Sequence, residues 1–186
     1  MIEKKFIGAQ ELLESSMQLG VNIYESGYNP NFIIAIWRGG TPVGIAVQEL
    51  LDYFKIQTDH ISIRTSSYYG IGQRSRTIRV HGLDYIIKNI NLEDRLLIVD
   101  DVFDTGLSIN AVIAHIKTYA RKNTPNMIRI ATPYYKPNNN KTDITPDYYI
   151  YKTDKWLIFP HELNELSREE IKKNKPKVFE LISSIK

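Results

Sequence analysis

Three carboxylates stand within five residues of one another in Leu96-Leu97-Ile98-Val99-Asp100-Asp101-Val102-Phe103-Asp104, and Thr105-Gly106-Leu107-Ser108 follows at once. Adjacent like charges repel, so Asp100 and Asp101 call for a cation or several hydroxyl donors between them. The turn after Asp104 reads as an anion cradle. Gly106 lets the backbone approach a ligand closely, Thr105 and Ser108 supply hydroxyls, and a following helix aims its free N–H groups at the site. One acid at a strand-to-helix turn is an ordinary helix cap; two side by side, with a third at a spacing of three, ask for more.

These residues need a rigid frame. The four apolar residues 96–99 read as a strand buried on both faces, as in a parallel sheet, and such sheets bind ligands at the carboxyl ends of their strands. Further strands are expected at Phe32–Trp37, His60–Arg64, Ile128–Thr132 and Tyr148–Tyr151. Helices are expected over 8–27, over Pro42–Tyr53 with Thr41 as N-cap, over 84–89, over 106–122, and from Pro176 onward. Residues 66–82 hold Ser, Tyr, Gly and Arg with little apolar periodicity, which reads as a long loop or a flexible hairpin. The alternation of strands and helices predicts an α/β fold with a mostly parallel central sheet flanked by helices.

Composition narrows the function classes. The chain has 186 residues, no cysteine, 42% hydrophobic and 24% charged residues, and a net charge of +3. That suits one globular domain, excludes disulfides, thiolate metal sites and a cysteine nucleophile, and does not point to nucleic acid. His60, His81, His115 and His161 show no metal-ligand spacing, and no Ser-His-Asp order is apparent. No apolar run approaches a membrane span and no signal peptide is evident at Met1–Lys5, so a cytoplasmic protein with no membrane partner is expected.

A second cluster has phosphate-binding character. Trp37-Arg38-Gly39-Gly40-Thr41-Pro42 ends the first strand with two glycines before a helix and a fixed cation. Together with the 96–108 segment it resembles the type I phosphoribosyltransferases. The four apolar residues, two acids and Asp-Thr-Gly-x-Ser look like that family's ribose-phosphate loop, and Arg38-Gly39 looks like its pyrophosphate loop. The resemblance implies that Asp100 and Asp101 hold the ribose hydroxyls of phosphoribosyl pyrophosphate (PRPP), directly or through Mg²⁺. It implies that Asp104, Thr105, Gly106, Leu107 and Ser108 bind the 5′-phosphate loop region, and that the Arg38–Gly39 peptide is cis.

The resemblance extends to a base site. Ser67-Tyr68 matches a Ser-Tyr pair on a loop, about 65–82, that closes over the reaction centre, with Arg64, Arg74, Arg76 and Arg79 around it. Lys136-Pro137 resembles the 6-oxopurine transferases, where such a lysine donates to the exocyclic oxygen. Trp156-Leu157-Ile158-Phe159-Pro160-His161-Glu162 resembles bacterial xanthine-guanine transferases. Trp156 would stack on the purine, Leu157 would offer backbone contacts, and Glu162 would help order magnesium or the loop. Ile158 departs from the pattern, being apolar where some of those enzymes carry an acid. The expected architecture is a single domain, 1–186, with a small hood at about 136–165. The expected activity is purine salvage, catalysed by Asp104 and Arg38, in a homodimer or homotetramer. A nucleotide-sensing regulator on the same fold, or a transferase for another nucleobase, are the competing readings.

Overall fold

The apolar runs become the centre of a seven-stranded sheet in a computed structural model that describes residues 3–69, 76–164 and 166–185. Strand β2 (Phe32–Trp37) lies between β3 (Asp59–Tyr69) and β5 (Arg95–Val99), parallel to both, and β5 pairs in parallel with β7 (Met127–Tyr135). Ile33, Ile34 and Ala35 and all of Leu96–Val99 are fully buried, as strands covered on both faces must be. Among the described residues only β4 (Arg76–His81) runs antiparallel, against β3. β8 (Tyr148–Lys152) lies parallel to β7.

Helices α1 (Ala9–Glu25), α2 (Gly40–Tyr53), α3 (Asp84–Asn89) and α4 (Leu107–Ala120) connect these strands. Ile109, Val112 and Ile116 of α4 pack in one buried cluster with Ile34, Ile98 and Ile130. Each such side chain contributes about 1.5–3 kcal/mol of burial free energy. The sequence expectation of a mostly parallel α/β fold is met.

Several boundaries differ from expectation for identifiable reasons. Helix α2 begins at Gly40, because Gly39 already has helical dihedrals (φ −67°, ψ −35°). Thr41 is therefore inside the helix and not its N-cap; its hydroxyl shares a 3.3 Å hydrogen bond with the Ser62 hydroxyl. Residues 66–82 contribute the arms of a hairpin, β3 and β4, paired from Arg64–His81 to Tyr69–Arg76. Residues 70–75, Arg74 among them, lie outside the described residues, as do the side chains of Tyr68 and Arg76.

The strand expected to end at Thr132 runs on to Tyr135 through a buried proline. Val99 faces Ala131, and the short strand β6 (Val102–Phe103) resumes with Val102 facing Tyr134. Asp100 and Asp101 thus fall opposite Thr132 and Pro133. Before this break the Asp100 N–H donates to the Ala131 carbonyl; after it, the Lys136 N–H donates to the Phe103 carbonyl. The register is the same on both sides of the gap, so the ladder is interrupted without an inserted residue. Pro133 has no N–H to offer, so it is tolerated in a central strand only where the ladder is already interrupted.

By contact the chain divides into two compact units, Gln10–Asp154, and Met1–Ala9 with Lys155–Lys186. The smaller unit pairs β1 (Lys4–Phe6) in parallel with β9 (Trp156–Ile158) and adds α5 (Arg168–Asn174) and α6 (Pro176–Ser183). The α6 start at Pro176 agrees with expectation. Helix α5 was not expected; its signal is the capping box of Ser167 and Glu170, which forms in full. Among the described residues no helix is long and apolar enough to cross a membrane.

Candidate active site

The anion cradle forms as its residue types demand. Gly106 adopts a left-handed conformation (φ 74°), and a Cβ there would stand 2.5 Å from Thr142 Oγ1 and 2.8 Å from the Phe103 ring. Helix α4 starts immediately after it, with the first backbone amides of a 14-residue helix facing outward at its N-terminus. A solvent-open pocket of about 290 Å³ is lined by Asp100, Asp104, Thr105, Gly106 and Ser108, among others. Thr105 is tied to the helix start by a 3.4 Å bond from the Leu107 N–H to its hydroxyl.

The two adjacent acids occupy the interruption of the strand. The Asp101 N–H donates to Asp100 Oδ1 at 3.0 Å. Burial, and then the charge of Asp101, push the Asp100 carboxyl well above the ordinary carboxylate range. A bound dication or a row of hydroxyl donors would relieve that repulsion, so the donor set fits a hard cation such as Mg²⁺ with oxygen ligands. Among the described residues no group of three or more His, Asp or Glu side chains forms a metal-binding set. Glu162, in the smaller unit, uses Oε2 to accept the Phe159 N–H at 2.9 Å and so closes its own turn.

The glycine turn approaches these acids with no room to spare. A Cβ on Gly39 would fall 1.8 Å from Asp101 Oδ2, and one on Gly40 would fall 2.5 Å from the Val99 carbonyl and 2.9 Å from Asp100 Cα. Glycine is required here by contact, not by an unusual φ. Arg38 is exposed beside this turn, and its carbonyl accepts the Thr41 N–H at 3.2 Å. A non-proline cis peptide is present, but at Trp37–Arg38 and not at the expected Arg38–Gly39. The reversal falls at the last residue of β2, because Gly39 already belongs to the helical turn.

Lys136 and Asp104 meet although 32 positions apart. Lys136 is 5% exposed, and its Nζ donates to Asp104 Oδ2 at 3.2 Å. The other carboxylate oxygen accepts from Asn139 Nδ2 at 2.9 Å. Asn139 was not among the residues expected at the site; the sequence signal was present only as a turn, Asn138-Asn139-Asn140-Lys141. That turn also holds the cradle, since the Lys141 N–H donates to the Thr105 carbonyl at 3.0 Å.

The remaining expected residues take these positions. Ser67 is exposed on β3 opposite Ile78. The Tyr68 backbone lies opposite Thr77 on the same hairpin. In the smaller unit Trp156 is 45% exposed at the start of β9, which is unlike a core tryptophan, while Leu157 and Ile158 are buried beside it.

The strands' carboxyl ends thus carry an anion cradle, an acid pair and a glycine-arginine turn, an arrangement that suits a class of protein handling a phosphorylated, hydroxyl-rich ligand. Residues 8–167 match the phosphoribosyl transferase domain, and the chain belongs to that family. It is 25% identical over 162 residues to a hypoxanthine-guanine phosphoribosyltransferase of Streptococcus mutans, covering 84% of this chain and 82% of that protein. The crystal structure of a purine phosphoribosyltransferase from Pyrococcus horikoshii superposes with a TM-score of 0.69 at 26% identity, over 89% of this chain and 98% of that one. A hypothetical protein from Neisseria gonorrhoeae with bound ppGpp shares the fold, with a TM-score of 0.75 at 17% identity over 96% and 98% of the two chains.

Proposed function

We propose that this protein transfers the 5-phosphoribosyl group from PRPP to a 6-oxopurine, giving the nucleoside 5′-monophosphate and pyrophosphate. The observation that carries the reading is the buried Lys136 paired with Asp104 beside the phosphate turn. An ammonium next to a carboxylate offers one donor and one acceptor, which is what the carbonyl oxygen and the N7–H on the same edge of a 6-oxopurine need.

In the reaction the bond from the ribose anomeric carbon to pyrophosphate breaks and a bond to the purine nitrogen forms. The base gives up one proton in the process. Thr105, Gly106, Leu107 and Ser108 hold the 5′-phosphate, so its binding energy orients the anomeric carbon. Asp100 and Asp101 hold the ribose hydroxyls and are the residues that would hold Mg²⁺. When bound, the metal supplies positive charge against the leaving pyrophosphate. Arg38 and Gly39 face the same leaving group with a guanidinium and a backbone amide. Asp104 accepts the proton or hydrogen bond at the purine N7, and Lys136 donates to the purine oxygen. Ser67 and Tyr68, on the hairpin, help exclude water from a cationic sugar. Glu162 serves by ordering its turn.

In the smaller unit Trp156 has an exposed ring that would serve to stack on a base, and Leu157 would offer its backbone. Trp156→Ala should raise the Michaelis constant for the purine about five- to 150-fold, the range that ~1–3 kcal/mol of base stacking spans. The constant for PRPP should stay near wild type. Equal damage to both, seen in steady-state kinetics, would show that Trp156 serves the fold alone.

A direct assay decides the activity. Purified protein is incubated with Mg²⁺, PRPP and, separately, guanine, xanthine, hypoxanthine, adenine or orotate. Monophosphate should form from 6-oxopurines and not from adenine or orotate. PRPP binding without product from any base would favour a regulator on this fold.

A further inference from the structure

We infer that Asn139 is a positioning residue for the transfer step: its side-chain amide holds the Asp104 carboxylate in place when Lys136 turns from that carboxylate to the purine oxygen. The inference rests on the roles proposed above for Asp104 and Lys136.

The geometry begins with Pro137. Pro137–Asn139 forms one turn of 3₁₀ helix, opened by Lys136 and closed by the Asn139 N–H donating to the Lys136 carbonyl at 3.1 Å. Lys136 caps the turn and Asn139 ends it, and a single carboxylate bridges their side chains, Oδ2 to Nζ at 3.2 Å and Oδ1 to Nδ2 at 2.9 Å.

The three consecutive asparagines have separate tasks. Asn138 Nδ2 donates to Asp154 Oδ2 at 2.9 Å, and Asn140 Nδ2 donates to the Ile144 carbonyl at 2.8 Å. Both bonds shape the segment. Asn139 alone of the three donates to Asp104. The turn itself is anchored by backbone bonds at each end, from Lys136 N–H to the Phe103 carbonyl (2.9 Å) and from Lys141 N–H to the Thr105 carbonyl (3.0 Å). Asn139 therefore projects from a fixed frame.

The chemistry favours a neutral donor at this point. An ionised carboxylate has about four lone-pair sites, so two protein donors leave capacity for a substrate. As the purine oxygen draws the Lys136 bond away, Asp104 loses one of its two holders, and the Asn139 bond keeps the carboxylate aimed. A second cation in place of Asn139 would make Asp104 a weaker base, whereas an amide orients it without adding charge. The charged groups around Asp104 are then Lys136 on the turn and Asp100 and Asp101 earlier on its own segment.

Asn139→Ala and Asn139→Asp test this, with Asn138→Ala as a control on the same turn. In Asn139→Ala, kcat should fall roughly ten- to a hundredfold, the span of one hydrogen bond to a charged group. KM for PRPP should stay within about threefold, since the bond holds the carboxylate proposed to act on the base and not the turn proposed to hold the 5′-phosphate. The acid limb of the kcat–pH profile should move to higher pH in Asn139→Ala, which removes a donor, and further in Asn139→Asp, which adds a like charge. Asn138→Ala should leave kcat and the pH limb unchanged.

A second readout does not depend on turnover. Carbon-13 NMR titration of the Asp104 carboxyl in the free protein should show the same upward shift in Asn139→Ala. Unchanged kcat and titration, or equal losses in Asn138→Ala and Asn139→Ala alongside a lowered Tm, would overturn the inference. If the wild type transfers to no purine while the carboxyl titration still shifts, the proposed activity fails and the positioning of Asp104 by Asn139 stands.

Discussion

Asp104→Asn should lower turnover by roughly 10²–10⁴-fold, the span of a general acid–base group, while PRPP still binds. The replacement keeps the shape of the side chain and one acceptor oxygen. It removes the charge that faces Lys136 at 3.2 Å and the basic oxygen proposed to act on the purine. Lys136 is buried, so it is left with less compensation. The effect on stability should be smaller than the effect on rate, because the Asp104 side chain is 37% exposed and solvent screens the pair. Steady-state kinetics with saturating PRPP and guanine or hypoxanthine checks the expectation. Turnover within a factor of two of wild type would remove Asp104 from the chemistry.

The second large effect is expected one loop away. A Cβ on Gly40 would meet the Val99 carbonyl at 2.5 Å and Asp100 Cα at 2.9 Å. Both are backbone atoms, so neither can rotate aside. Gly40→Ala must part the start of α2 from the end of β5, at a cost of about 1–3 kcal/mol typical of overpacking. For a protein of this size that lowers Tm by roughly 2–12 °C. The acid pair moves with the strand end, and a displacement of about 1 Å at such a site costs about 100-fold in rate. Thermal melting and kinetics on the same sample give both numbers. An alanine variant with wild-type Tm and rate would mean that the two loops are not in the contact described.

The two effects differ in origin. In the proposed reaction Asp104 acts through charge and a proton, so its loss should be mainly a loss of turnover. Gly40 sets the distance between the turn that carries Arg38 and the acid pair Asp100–Asp101. Its replacement should therefore damage stability and catalysis together, whereas Asp104→Asn should separate them.

Much of the site was readable from residue order because its parts are local. The acid pair, the left-handed glycine and the helix that follows lie within Asp100–Ser108, and their conformations follow from steric preference and capping over a few residues. The apolar runs at 32–37 and 96–99 likewise predict buried parallel strands without reference to the rest of the chain. What residue order did not reveal depends on distant partners. The need for Gly39 and Gly40 comes from Asp101, Val99 and Asp100, sixty positions away. Pro133 reads as the end of a strand until the gap at Asp100–Asp101 is seen beside it. Asn139 reads as one asparagine in a polar turn until the 3₁₀ turn that Lys136 caps and the paired strands bring Asp104 within 2.9 Å of it. Local sequence encodes which groups can bind a phosphate or a ribose, because those preferences act over one turn of chain. Which carboxylate faces which amine, and at what distance, is decided by sheet register and loop packing, where close contact leaves a single arrangement.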